Sequence, residues 1–203
     1  MRHNIRSITL VELLVSLMLM GAMILSFTGL ETFSHERVLG ADRRTKVQNS
    51  LSFCLDTMSK AVLQASGNAA NPAIKLYPDA GAKSGFQVRV DQNTPPTPDD
   101  FSDDTWVHFF LSGNQLITGS PTTTDEVLSS KIVANFSNSV MPDSPAGFGF
   151  YAYIDVAGAE GNFIEMGLVG RYLPDQDPAV AIRLVNPQVA MKTKAYCNNS
   201  STN

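Results

Sequence analysis

The sequence predicts an α+β protein in which one long N-terminal helix packs against a mostly antiparallel β domain. Two observations predict this class. Apolar residues near the N-terminus form a long run and then recur at helical spacing, whereas beyond Gly67-Asn68 apolar and polar residues alternate. Helical spacing places apolar side chains on one face of a helix, and alternation places them on one face of a strand. We therefore expect the apolar face of the helix to cover the sheet.

The composition sets the size of the protein and excludes one class of partner. The chain has 203 residues, of which 43% are hydrophobic. This suits one modest globular domain with one extended element. The formal charge is −4 and the fifteen Lys and Arg residues are scattered, so there is no basic surface of the kind that nucleic-acid binding requires. We therefore expect no nucleic-acid partner.

The N-terminal segment combines a basic start with a long apolar run. Arg2 and Arg6 precede the run from Ser7 to Leu30, which is long enough to span a membrane, because an apolar helix needs about 20 residues to do so. The basic residues predict that the first six residues stay in the cytoplasm and that the C-terminal bulk lies outside it. A secretory signal peptide fits less well, since its apolar region is shorter and ends at a small-residue cleavage site.

A single acidic residue, Glu12, interrupts the apolar run. A charged side chain costs about 2.5–3.5 kcal/mol at the centre of a membrane helix, so such residues usually have a partner and a role. A plain single-pass anchor does not account for this acid. We therefore expect Glu12 to pair with a cation.

The segment from Ser7 to Leu17, SITLVELLVSL, resembles the class III signal sequence of type IV pilins and type II secretion pseudopilins. In that family a prepilin peptidase cuts after a small residue, usually glycine, and methylates the new N-terminal residue, usually phenylalanine. The resemblance implies cleavage between Ser7 and Ile8, N-methylation of Ile8, and an assembly role for Glu12. Here Ser7 replaces the usual glycine and Ile8 the usual phenylalanine. Cleavage would place a cationic amine about one helical turn from Glu12, and in the family such an amine meets the glutamate of a neighbouring subunit.

The resemblance also implies a location and a set of partners. The protein would be a single-pass inner-membrane protein with its C-terminal domain in the periplasm, and after processing it would enter a pilus or pseudopilus filament. Its implied partners are prepilin peptidase, the inner membrane, and other pilins or pseudopilins that contact the N-terminal helix. The large β region is similar to that of PilW-like minor pilins and the pseudopilin J family, as are the hairpin from Trp106 to Thr118 and the pattern Ile182-Arg183-Leu184-Val185 followed by Val189.

The helix is expected to continue beyond the membrane to Ser66, because apolar residues keep a helical spacing on one face while charged residues occupy the others. This stripe consists of Val47, Leu51, Cys54, Leu55, Met58 and Val62. The predicted organisation is a leader over 1–7, a stem helix over 8–66 and a β-rich domain over 67–203. Within the stem, 8–30 is the transmembrane part and 31–66 the amphipathic part.

Alternating patterns predict the strands of the β-rich domain, after a loop through Asn71-Pro72 and Tyr77-Pro78. Phe86, Val88 and Val90 form one face of the first strand. A hairpin follows, in which Ser112-Gly113-Asn114 joins a strand from Thr105 to Leu111 to one from Gln115 to Thr118. The remaining predicted strands are Lys131 to Phe136, Gly147 to Val156, Asn162 to Leu173 and Ala179 to Leu184.

The two cysteines, Cys54 and Cys197, allow at most one disulfide. Both are predicted to lie outside the cytoplasm, where oxidation favours bridge formation, so we expect a disulfide that ties the C-terminal tail to the stem. The alternative is that Cys54 is a small buried hydrophobe and Cys197 belongs to the polar tail.

Four acids, Asp99, Asp100, Asp103 and Asp104, lie in a loop rich in proline and aspartate. Their oxygens are of the type that calcium prefers, but the EF-hand spacing is absent, so a solvated turn without metal is the favoured interpretation. The sequence has no cofactor motif and no convergent set of titratable residues. We therefore expect no catalytic residues, no cofactor and no enzymatic activity.

Three functions follow from these observations. The leading hypothesis is a minor pilin that takes part in type IV pilus assembly, in a priming or tip complex. The first alternative is a pseudopilin of a type II secretion system. The second is a membrane-anchored binding protein or adhesin that does not polymerise.

Overall fold

The computed structural model describes residues 9–67, 71–77, 85–91, 93, 96–97, 100–120, 123–133, 150–154, 163–175, 186–197 and 199–200. These residues contain one long helix, α1 (Leu10–Leu63). They also contain ten strands: β1 (Ser66–Gly67), β2 (Ile74–Tyr77), β3 (Gly85–Val90), β4 (Thr105–Ser112), β5 (Gln115–Ser120), β6 (Thr123–Ser129), β7 (Phe150–Ile154), β8 (Phe163–Arg171), β9 (Gln188–Tyr196) and β10 (Asn199–Ser200). The prediction of an α+β fold is confirmed.

The strands form two antiparallel sheets and one short parallel pair. Five strands lie in the order β2-β3-β4-β5-β6, three lie in the order β7-β8-β9, and β1 pairs in parallel with β10. The chain passes from the first sheet to the second after β6, where Ile132 bridges to Gly170 and the Val133 N–H donates to the Val169 carbonyl. This crossing connects the two sheets through β8.

The C-terminal half of α1 packs on both sheets, as its apolar stripe predicts. The buried stripe residues are Val47, Leu51, Cys54, Leu55, Met58 and Val62. They share one core with inward-facing strand residues, among them Phe86, Val88, Phe109, Leu116, Ile164, Met166 and Leu168. Burying each large side chain of this kind contributes about 1.5–3 kcal/mol, so the helix and the sheets stabilise each other.

The predicted end of the helix at Ser66 is wrong. Gln64 is the C-cap, and the chain beyond it joins the sheets: Ala65 bridges to Val90, and Ser66 pairs with Asn199. The Ala65 N–H still donates to the Val62 carbonyl at the end of the helix, whereas beyond Ala65 the backbone pairs with another strand instead of forming a further helical turn.

Several predicted strands are confirmed. The first strand is β3, and the hairpin is β4–β5, in which Gly113 has a φ of 58°. A tight hairpin turn needs such a positive φ, which glycine adopts without steric cost. Strands β7 and β8 lie inside the predicted ranges Gly147 to Val156 and Asn162 to Leu173.

Five strands, β1, β2, β6, β9 and β10, were not predicted. One predicted strand is only partly described, and another lies outside the described residues. β2 lies in the segment expected to be a loop, and the inward side chains of β9 include the small Ala195, so its alternation is weak. Within the predicted strand from Lys131 to Phe136, the structure has a single bridge at Ile132. Residues 134–136 and 179–184, with the pattern at 182–185, lie outside the described residues.

Candidate functional site

The first residues of α1 form a closed hydrogen-bonded unit around Glu12. Thr9 is the N-cap, and its Oγ1 accepts a hydrogen bond from the Glu12 N–H at 3.3 Å. In return, Glu12 Oε2 accepts from the Thr9 N–H at 2.9 Å and from the Thr9 hydroxyl at 3.0 Å. This is a capping box, which satisfies N–H groups that the first helical turn leaves without partners.

The role of Thr9 was missed from the sequence, although a signal for it is present. Thr9-Leu10-Val11-Glu12 has the form of a capping box, with threonine at the N-cap and glutamate three residues later, directly before an apolar run. The carboxylate also lies at the positive end of the helix dipole, which favours an acid in the first turn. The capping box and the helix dipole thus offset part of the free-energy cost of placing the charged Glu12 in an apolar helix.

The capping box leaves the charge of Glu12 without a cation among the described residues. Its hydrogen-bond donors are the neutral groups of Thr9, and all of them use Oε2. The salt bridges of the stem lie more than seven helical turns away, between Asp42 and Lys46 and between Asp56 and Lys60. The carboxylate therefore retains both its charge and one oxygen for an external partner.

The N-terminal half of α1 is apolar on all sides and packs against nothing in the described chain. An apolar stretch of 18 residues in this helix has no buried residue. Large side chains are exposed around the whole circumference, for example Leu10 at 77%, Met23 at 73% and Phe27 at 69%. The helix is long and apolar enough to cross a membrane, and an apolar surface of this size requires lipid or protein to cover it.

The predicted processing residues precede this unit in the sequence. Ser7 and Ile8 lie outside the described residues, as does Asp99. The structure locates Glu12 in the first turn of a helix that begins at Leu10, with Thr9 as its N-cap.

Strand β9 packs alongside α1, and this geometry sets the separation of the two cysteines along the contact. Ser52 Oγ of α1 lies 3.9 Å from Met191 Sδ of β9. Beyond the C-terminal ends of both elements, Ser66 of β1 pairs with Asn199 of β10. The helix and the strand therefore advance in the same direction from the first contact to the second.

The expected disulfide between Cys54 and Cys197 is not formed in the structure, where both are free buried thiols. Cys54 lies only about 3 Å along the helix axis from Ser52. Cys197 lies six residues beyond Met191, about 20 Å along the strand. The two Cα atoms are thus on the order of 15 Å apart along the contact, and a bridge requires less than about 7 Å. The side chain of Cys54 instead contacts Ser129 of β6.

The acidic loop places its carboxylates in different environments. Asp100 is exposed and accepts hydrogen bonds from the Ser102 N–H at 3.0 Å and the Ser102 hydroxyl at 2.6 Å. Asp103 accepts from the side-chain amide of Asn93. Asp104 is almost completely buried, with a side-chain exposure of 2%. Among the described residues no three potential ligands lie close enough to hold a metal ion.

Asp104 lies beside a second buried charge, Arg89. The Arg89 Nε and Asp104 Oδ2 atoms are 4.0 Å apart, and the guanidinium lies 4.9 Å from the ring centroids of both Phe101 and Trp106. Arg89 lies on the face of β3 opposite Phe86 and Val88, where the Phe101 ring covers it. Burial raises the pKa of the Asp104 carboxyl, the nearby Asp91 carboxylate raises it further, and Arg89 opposes both effects. The pair is a structural element of the loop, because neither charge reaches the surface.

Comparisons with family models, with curated proteins and with solved structures found no match to this chain. The function is therefore argued from the stem helix.

Proposed function

We propose that this protein is a minor pilin that takes part in type IV pilus assembly through its N-terminal helix. One observation carries the proposal: the part of α1 from Leu10 to Leu30 exposes apolar side chains on every side and has one charged residue, Glu12, in its first turn. The β domain, which packs only on the second half, would then project from a bundle of such helices.

The geometry of Glu12 supports a pairing between subunits. Its hydrogen bonds come from neutral groups of Thr9, so its charge remains to be neutralised once the helix enters an apolar environment. A processed neighbour that starts at Ile8 would supply an N-terminal amine. A buried polar contact of this kind can fix the register of packed helices, which is its best-attested use.

A plain membrane anchor is the main competitor, because the capping box gives Glu12 a local role that requires no second subunit. The two functions differ in their chemistry at the N-terminus. A pilin is cut between Ser7 and Ile8 and methylated on Ile8, whereas an anchor keeps the residues before Ile8 or loses them elsewhere.

The test is intact-mass and N-terminal analysis of the full-length gene product, extracted from membranes of a host with an active prepilin peptidase. We expect a chain that starts at N-methylated Ile8. A matched sample from a peptidase-deficient host should start at Met1 or Arg2. Recovery of the unprocessed chain from both hosts would reject the pilin assignment. A processed chain that co-purifies with secretion-system components instead of pilus components would favour a pseudopilin.

A further inference from the structure

The side of the stem that turns away from the sheets carries two ion pairs of the same kind. Asp42 Oδ2 lies 2.8 Å from Lys46 Nζ, and Asp56 Oδ2 lies 2.6 Å from Lys60 Nζ. In both pairs the lysine follows the aspartate by four residues, and the second pair lies about 21 Å beyond the first along the helix. All four side chains are more than half exposed, so they are accessible to a partner.

Three large apolar side chains, those of Val38, Phe53 and Leu63, are exposed on the same side of the stem. At 3.6 residues per turn they fall, with the two ion pairs, within about 100° of the helix circumference, opposite the buried Leu51. We call this surface the outer face; it consists of Val38, Asp42, Lys46, Phe53, Asp56, Lys60 and Leu63. Phe53 lies midway between the two ion pairs.

The membrane sets the direction of any second stem on the outer face. In the proposed function, on which this step rests, the segment from Leu10 to Leu30 of each chain crosses the same membrane with the same orientation. Two stems that leave one membrane on the same side run parallel.

Charge complementarity then sets the offset between two parallel stems. Without an offset, each aspartate and each lysine of the outer face would meet its own counterpart, and like charges repel. An offset of four residues, about 6 Å, places Asp42 of one stem beside Lys46 of the other. The same offset places Asp56 beside Lys60. Each ion pair then joins that of the neighbour in an alternating network, an arrangement in which surface charges contribute more than isolated pairs.

The same offset arises separately at the other end of the stem. Ile8 precedes Glu12 by four residues, so an offset of four also places the amine of one processed chain beside Glu12 of its neighbour. One displacement of about 6 Å therefore aligns opposite charges at three levels of the stem, one at the membrane segment and two outside it.

We propose that the outer face is a docking surface for the stem of a second copy of this chain, which packs in parallel with an offset of four residues. Phe53 of one stem then lies level with Asn49 of the other, and the two charge networks flank this apolar contact. The docking adds a contact outside the membrane to the pairing of Glu12 with the amine of Ile8.

Site-specific cross-linking in membranes tests the offset. Full-length Thr45→Cys and Asn49→Cys chains, which carry different tags and exposed thiols, are co-expressed and treated with a short thiol cross-linker. We expect the mixed 45–49 dimer as the main product. A 45–45 product would report stems without offset. Thr45→Cys with Thr57→Cys would report antiparallel stems, in which Asp42 faces Lys60. The wild type, with two buried cysteines, gives the blank.

A charge swap separates docking from the stability of the helix. The double variant Asp42→Lys/Lys46→Asp keeps an ion pair within its own stem. In a mixed pair with the unswapped chain, like charges meet at the offset of four residues, so the 45–49 yield should fall about two- to fivefold. When both chains carry the swap, opposite charges meet again and the yield should recover. Equal yields in mixed and matched pairs, or a stronger 45–45 or 45–57 product, would overturn the proposal.

N-terminal analysis of the same extracts keeps this test apart from that of the proposed function. Absence of the 45–49 product in chains that start at Ile8 would overturn the docking and leave the pilin assignment standing. A 45–49 product in chains that still start at Met1 would reject the pilin assignment and retain the docking. Capture of a different subunit, instead of a second copy, by a photoreactive side chain at position 53 would also overturn the docking.

Discussion

Gly170 of β8 lies directly under Leu51 of the stem helix. A Cβ on Gly170 would be 3.0 Å from Leu51 Cδ2 and 3.0 Å from Val47 Cγ1. The strand backbone and the helix side chains are therefore in close contact at this point. Because Gly170 also bridges to Ile132, this one position joins the stem, the second sheet and the segment that enters it from the first sheet.

We expect Gly170→Val to destabilise the protein by about 1–3 kcal/mol, because added methyl groups overpack a filled contact. Denaturant unfolding of the solubilised full chain, followed by the fluorescence of the single tryptophan, Trp106, measures the change. In a Leu51→Ala background the same substitution should cost less, since the smaller side chain leaves room. Equal costs in both backgrounds would show that Gly170 does not contact Leu51.

The two faces of the stem beyond the membrane should respond differently to truncation. Leu51→Ala removes a fully buried side chain and should cost about 2–5 kcal/mol. Phe53→Ala, two residues away, removes a larger side chain that is 57% exposed, and should change the free energy of unfolding by no more than about 0.5 kcal/mol. A larger loss for Phe53→Ala would mean that the helix docks on another face.

The stem was predictable from the sequence because its apolar residues repeat over many turns. The position of its C-terminal end was not, because it depends on a contact distant in sequence. The helix ends at Leu63 because Ser66 finds a partner in Asn199. β6 was missed because Asp125 and Glu126, on opposite faces of the strand, are both polar and exposed, so its sequence has no apolar alternation.

The candidate site was predictable in part. Glu12 was identified from its cost in a membrane, whereas its partner Thr9 was overlooked although the capping-box pattern is local. The separation of Cys54 from Cys197 could not be predicted, because it depends on how far β9 runs beside the helix. The burial of Arg89 likewise depends on Phe101, which reaches it from the following loop.

The two roles of Glu12 can be separated by a matched pair of variants. Glu12→Gln removes the charge but retains a side chain that suits a capping box, whereas Thr9→Ala breaks the box and retains the charge. If Glu12 pairs with the amine of a neighbour, Glu12→Gln should insert into the membrane normally and lose co-purification with partner pilins. Thr9→Ala should retain co-purification.

The readouts for this pair are membrane fractionation, N-terminal analysis and pull-down of partner subunits from the same extracts. N-terminal analysis is needed because Thr9 lies close to the cleavage point. Full co-purification of Glu12→Gln together with loss in Thr9→Ala would assign Glu12 to capping alone.

The buried Asp104 carboxyl predicts a pH dependence of stability. Its pKa is raised in the folded protein, chiefly by burial, so the folded state binds its proton more tightly than the unfolded state. The stability that this proton contributes is present at low pH and is lost as the pH rises through the raised pKa. In the wild type, the free energy of unfolding should therefore decline as the pH rises, for one proton by at most about 1.4 kcal/mol per pH unit. Asp104→Asn should remove this decline.

Asp100→Asn is the matched control for this measurement, and it should act with the opposite sign. Hydrogen bonds from Ser102 lower the pKa of the exposed Asp100 carboxyl, so its contribution is present above the unfolded pKa and is lost as the pH falls through the folded one. Unfolding curves between pH 3 and 7 for the three proteins give both effects. The same pH profile for Asp104→Asn and the wild type would contradict the burial of a titrating carboxyl.

The cysteines should remain reduced and react slowly. Burial raises the pKa of the Cys54 thiol to about 11 and that of the Cys197 thiol to about 11, so at pH 8 only about one molecule in a thousand carries a thiolate at either position. An alkylating reagent added to the folded, unreduced full chain should therefore modify neither residue within the time in which it alkylates a free cysteine peptide completely. After denaturation without reductant both should react, and mass spectrometry should find two labels.

Cys54→Ala and Cys197→Ala, each with one expected label, calibrate the count. A denatured wild-type chain that accepts labels only after reduction would contain the disulfide. It would then require Cys197 to move about 10 Å along the stem, which would break the pairing between Ser66 and Asn199.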